Sequence, residues 1–93
     1  LRDAARELAA FVGTSPDRLG FIDNATTGTA AVLRELDFAP GDEILTTDHV
    51  YNALRNLIRH VASRTGAVPR EAPLPVPVTR AEEVVEAIRA AMT

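Results

Sequence analysis

Lysine is absent from this chain: all ten basic residues are arginine. Chemistry that needs a lysine amine is therefore closed to these residues alone. Cysteine is absent as well, which rules out disulfides and thiolate metal sites. No apolar run approaches the roughly 18 residues of a membrane span, and no signal-peptide pattern opens the sequence; a cytoplasmic location is the default expectation. The net charge of −3 and a pI near 5.3 give no electrostatic reason to expect nucleic acid or an anionic membrane as partner. An initiator Met is missing too, and Leu1 falls in mid-pattern, so the chain reads as a piece of something longer. Arginine in place of lysine, beside abundant alanine, fits a GC-rich coding background.

What is present suits one small soluble domain. The chain has 93 residues, 46% hydrophobic and 25% charged. A domain of that size buries only about 60–65% of the surface its unfolded chain exposes. Leu1, Ala5, Leu8 and Val12 recur at helical spacing and predict a first helix with that stripe inward, stopped at Gly13. Ser15-Pro16-Asp17 supplies a cap and a Pro for one helical turn. Residues 21–23 read as a short strand. A helix begins at Thr26 or Thr27 and points Val32, Leu33 and Leu36 inward, ending before Pro40-Gly41, a dipeptide suited to a type II turn. Residues 43–47 form the second strand. Asp48 is a candidate N-cap for a helix with Val50, Leu54, Leu57, Ile58 and Val61 on its stripe, closed at Gly66. A third strand spans 67–72, and Pro69 assigns it to a sheet edge. Pro73, Pro75 and Pro77 make a stiff connector. Thr79 to Glu82 fits a capping box before a last helix carrying Val84, Val85, Ile88 and Met92. Helices alternating with three strands predict an α/β fold with a parallel sheet. There are no repeats and no internal domain boundary across 1–93.

In such sheets ligands gather at the carboxyl ends of the strands. Two clusters fall there. The first is Asn24-Ala25-Thr26-Thr27-Gly28, where helix N–H groups and two hydroxyls make a place for a phosphate; a plain capped turn with no ligand is the competing reading. The second is Asp48-His49-Val50-Tyr51-Asn52-Ala53, whose rings could cover whatever the threonines hold. His49 as a surface or capping residue, and Tyr51 as a ring packed on the sheet, are the competing readings there. His60 reads as structural, the Glu82, Glu83 and Glu86 cluster as a solvated helix face, and no set of side chains stands at metal-ligand spacing.

Taken in order, these two clusters with Ala31-Val32-Leu33-Arg34-Glu35-Leu36 and Pro40-Gly41-Asp42-Glu43-Ile44-Leu45 resemble the class V aminotransferase superfamily. Within it the isopenicillin N epimerase-like branch is most similar, with cysteine desulfurases further away. The resemblance covers essentially the whole chain and is strongest from 19 to 53. It implies pyridoxal 5′-phosphate as cofactor, on the large domain of a fold-type I enzyme. Thr26, Thr27 and Gly28, with their backbone, would hold the cofactor phosphate. A ring from the second cluster would stack on the pyridine; aligning on Ala53 selects Tyr51, the favoured residue, and aligning on the acid-His pair selects His49. Ala30 departs from the family, where Asn is frequent.

The resemblance also says what these residues lack. A complete member supplies a Schiff-base lysine and an acid for the pyridinium nitrogen from later in its chain, together with a small C-terminal domain. The expectation is thus an N-terminal portion of a large domain, silent as a catalyst by itself. The whole enzyme would act on an amino acid by epimerisation, transamination or carbon–sulfur cleavage, as a homodimer. In the family's sheet, strands from later in the chain lie between the first strand and the other two, so here the 21–23 strand would have a bare edge. The alternatives are a non-catalytic α/β module that binds a phosphorylated small molecule at the same corner, and a purely structural fragment.

Overall fold

The computed structural model describes all residues, 1–93. Helix α1 (Arg2–Val12) and a 3-10 turn (Pro16–Arg18) precede α2 (Ala25–Glu35); then follow β1 (Glu43–Thr47), α3 (Asn52–Thr65), β2 (Val68–Ala72) and α4 (Ala81–Ala91). The α/β alternation stands, and the sheet is parallel, with Glu43 opposite Val68 and Thr47 opposite Ala72. The sheet has two strands, β1 and β2. Residues 21–23, expected as a strand, join no ladder. The physical reason is the one the family topology raised: a strand needs a neighbour for its N–H and C=O groups, and none lies beside this segment.

The centre of the fold is the β1–α3–β2 unit. Ile44, Ile58, Val61 and Ala67 form its buried cluster, with Leu33, Phe38 and Leu57 packed against it. Its joints are closely determined. Gly41 takes φ 92° at the third position of a turn closed by the Asp42 N–H donating to the Ala39 carbonyl at 3.1 Å, the type II geometry that Pro40-Gly41 predicts. Gly66 ends α3 at φ 81°, and a Cβ there would lie 3.0 Å from Pro40 Cβ, so the helix end and the turn need a residue without a side chain. The Val68 N–H donates to the Asp42 carbonyl at 2.7 Å. Side alternation along β2 then turns the nitrogen of Pro69 away from β1, where its missing N–H breaks no bond.

The N-terminal third is built differently. Of the predicted α1 stripe, Leu1 is 93%, Leu8 40% and Val12 53% exposed, and Ala9 is the residue that is buried. Helix α1 packs on the 3-10 turn, which offers too little apolar surface to cover the stripe. On α2, Leu33 reaches the core cluster, while Val32 and Leu36 remain exposed. The Cα radius of gyration is 16.4 Å, against about 12 Å for a compact domain of this length. Seven of the 93 residues are buried, so this is a fold with its layers only partly assembled. At the other end α4 lies against β2. Its entry uses Glu83 rather than the predicted Glu82: the Thr79 hydroxyl donates to Glu83 Oε1 at 2.6 Å and the Thr79 N–H to Oε2 at 3.1 Å. The helix starts at Ala81, one residue later than the capping box assumed.

Candidate functional site

The threonine corner opens α2, whose first residue is Ala25 rather than the expected Thr26 or Thr27. Asn24 is the N-cap, and its Oδ1 accepts from the Thr27 N–H at 2.9 Å. The Gly28 N–H closes the first helical turn on the Asn24 carbonyl at 3.1 Å. The N–H groups of Ala25 and Thr26 have no protein acceptor, and neither do the hydroxyls of Thr26 and Thr27. No acidic side chain stands in this first turn. Two free donors, two free hydroxyls and the positive end of an eleven-residue helix therefore converge on one exposed corner, the donor set an anion needs. Gly28 also has a packing role. A Cβ there would fall 2.1 Å from Ile22 Cδ1, so the glycine makes room for Ile22 over the helix start.

The second cluster is the turn from Thr47 into α3. Asp48 is not the N-cap of α3. The helix begins at Asn52 with Tyr51 at the cap position and no side-chain cap bond, because Asp48 is engaged elsewhere. The Asp48 N–H extends the ladder to the Ala72 carbonyl at 3.0 Å. Its Oδ1 accepts from the Leu74 N–H at 3.0 Å, which fastens the start of the proline connector. The Val50 N–H donates to the Thr47 carbonyl at 3.0 Å and folds the turn. His49 Nε2 stands 3.7 Å from Asp48 Oδ1, beyond a direct hydrogen bond. Tyr51 is 67% exposed, and its carbonyl accepts from the Leu54 and Arg55 N–H groups at 2.9 and 3.0 Å. Its ring does not pack on the sheet.

Five concavities mark the surface, and none is lined by Thr26, Thr27, His49 or Tyr51. Of the predicted site residues only Gly28 lines one, an apolar hollow with Ile22, Ala25 and Val32. His60, taken as structural, lines a groove of about 430 Å³ between the C-terminal halves of α2 and α3, beside Arg34, Asp37 and Arg64. No group of three or more His, Asp or Glu side chains could hold a metal ion. Two residues that sequence reasoning passed over belong to the second cluster. Arg55 Nε donates to Glu71 Oε1 at 2.6 Å and Nη2 to Oε2 at 3.4 Å, while Nη2 also donates to the Asp48 carbonyl at 2.8 Å. Only the strand pairing brings Glu71 to this point, so residue spacing alone carried no signal for it.

Comparison with known proteins gives the chain relatives. The chain is 39% identical over 92 residues to isopenicillin N epimerase of Amycolatopsis lactamdurans, covering 96% of this chain and 23% of that protein. It is 32% identical over 98 residues to putative L-cysteine desulfhydrase 2 of Oryza sativa subsp. japonica, with 98% and 20% covered. Among solved structures, a lysine-to-alanine variant of C-DES with glycine covalently linked to its PLP cofactor superposes at a TM-score of 0.79, with 28% identity, over 91% of this chain and 23% of that one. The cystine C–S lyase C-DES in complex with cysteine persulfide gives 0.72 at 33% identity, over 77% and 19%. These likenesses bear out the resemblance to the class V aminotransferase superfamily. No family model matches it. It spans about a fifth of the length of the curated relatives it matches, and none of its helices is long and apolar enough to cross a membrane.

Proposed function

We propose that these residues are the N-terminal portion of the large domain of a pyridoxal 5′-phosphate enzyme that acts on an amino acid. The single observation that carries the proposal is the α2 corner. Two backbone N–H groups and two threonine hydroxyls without protein partners lie in a chain whose relatives include a structure with a PLP cofactor. The donor set fits a dianionic phosphate: Ala25 and Thr26 would supply N–H groups, and Thr26 and Thr27 hydroxyls. Gly28 shapes the corner by admitting Ile22. Tyr51 is the ring we favour for covering the pyridine; it is exposed on a fixed backbone, and His49 stands two residues away on the same turn. When bound, the cofactor supplies an electron sink for bonds at the amino acid's α-carbon. These residues would hold and orient it and shield one face of its ring from water. The lysine and the pyridinium partner would come from elsewhere in a complete enzyme, which we expect to be a homodimer. Cysteine is the amino acid named by several relatives and is the substrate we favour, with carbon–sulfur cleavage ahead of epimerisation.

The free donors of the same corner also suit a second reading, a non-catalytic module that binds a phosphorylated small molecule there. Comparing the affinity of the full-length protein for PLP and for pyridoxal, which lacks the phosphate, tests the corner. The wild type should prefer PLP, and Thr26→Val with Thr27→Val should erase most of the preference. An unchanged preference would refute the anchor. The module reading would gain if the protein bound inorganic phosphate at this corner and had no affinity for pyridoxal at all.

A further inference from the structure

The turn that carries His49 and Tyr51 is gripped at both ends by one residue. The Arg55 backbone N–H donates to the Tyr51 carbonyl at 3.0 Å, and its guanidinium Nη2 donates to the Asp48 carbonyl at 2.8 Å. The remaining face of the guanidinium is taken by Glu71, at 2.6 Å from Nε and 3.4 Å from Nη2. Glu71 sits on β2 and Arg55 on α3, so the arginine ties a helix, a strand and a turn at a single point. We infer that Arg55 is the positioning residue of the ring-bearing turn, with Glu71 setting its direction; this rests on the reading of Tyr51 or His49 as the ring cover.

Three observations favour positioning over the alternatives. The Arg55 and Glu71 side chains are 25% and 37% exposed, and ion pairs that open to water contribute little to stability. Stability alone therefore gives weak reason for the arrangement. A guanidinium already paired with a carboxylate has its charge answered and its donors committed, so Arg55 is poorly placed to bind an anion directly. Its planar fork, finally, fixes two acceptors in set directions at once, which a lysine ammonium does not do. Asp48 completes the grip from the other side through Ala72 and Leu74. The turn's backbone is thus held on the sheet while its rings stay free to meet a ligand.

The test uses the full-length protein reconstituted with PLP. Arg55→Lys keeps the charge and most of the stem but loses the fork. It should weaken PLP binding about tenfold, the loss of a charge-assisted hydrogen bond, and reduce the visible circular dichroism of the bound cofactor. Glu71→Gln should act in the same direction with a smaller effect. The preference for PLP over pyridoxal, set at the α2 corner, should survive in both. Affinity within about twofold of wild type with unchanged dichroism in Arg55→Lys would overturn the inference, whether or not Arg55→Ala folds. Tyr51→Ala and His49→Ala separate the two readings. If both leave the dichroism unchanged, the ring-cover reading falls and this inference falls with it. If either one alters it and the Arg55 variants do not, the positioning role alone is refuted.

Discussion

The two halves of this molecule are finished to different degrees. From Ala39 to Leu74, turns, strands and α3 close on one another: Gly66 fits against Pro40, Arg55 joins Glu71 to Asp48, and Ile44, Ile58 and Val61 share a core. From Leu1 to Leu36, Leu1, Phe11, Val12, Phe21, Ile22, Val32 and Leu36 are each more than half exposed, and a segment with strand composition has no ladder. The corner proposed to hold phosphate belongs to the open half and the turn that carries His49 and Tyr51 to the closed one. One half of the proposed site therefore rests on local capping, and the other on tertiary cross-links. Local capping forms without neighbours, which explains why a recognisable anion corner survives in the less assembled half.

Substitutions can break that contrast. Ile58→Ala removes the centre of the closed half and should destabilise the chain by about 2–4 kcal/mol. Phe11→Ala, at a site 87% exposed, should change stability by no more than about 0.5 kcal/mol; urea unfolding of the two variants measures the difference. A subtler pair sharpens it. Gly13 and Gly66 share the left-handed backbone, at φ 76° and 81°. Alanine at either should cost about 1 kcal/mol for that conformation. A Cβ at Gly13 meets nothing within 4 Å, whereas at Gly66 it presses on Pro40. Gly66→Ala should therefore be the worse of the two, and equal losses in thermal unfolding would deny the contact.

The smallest effect concerns acid. Glu43 opens β1, and a hydrogen bond from the Thr93 hydroxyl, with the neighbouring Arg70, holds its carboxyl below the ordinary range. A lowered folded-state pKa contributes stability above the unfolded value, about 4.3 for Glu, and that contribution is lost as pH falls through the folded value. Carbon-detected NMR titration should find Glu43 titrating below the ordinary value for a glutamate, and Thr93→Ala should move it back up.

The sequence was most legible where a rule is local. The Pro40-Gly41 turn, the glycine stops of α1 and α3, the edge character of β2 and the hydroxyls at the start of α2 all follow from the chemistry of neighbouring residues. It was least legible where the outcome depends on what lies across a gap. Asp48 has every property of an N-cap, but its carboxylate is drawn to Leu74, 26 residues away, and α3 starts later. The stripes of α1 and α2 promise burial that needs a surface to bury against. Gly28 also leaves room for Ile22, a contact that spacing does not announce. Glu71 was invisible until the parallel register set it beside Arg55.

The central claim is that the α2 corner and the 48–51 turn serve one ligand. Amide hydrogen exchange of the full-length protein, with and without PLP, tests it most directly. Protection should rise together at Ala25 and Thr26 and across His49 to Asn52, with β1 and β2 unchanged. Protection gained at one cluster and not the other would contradict a shared site.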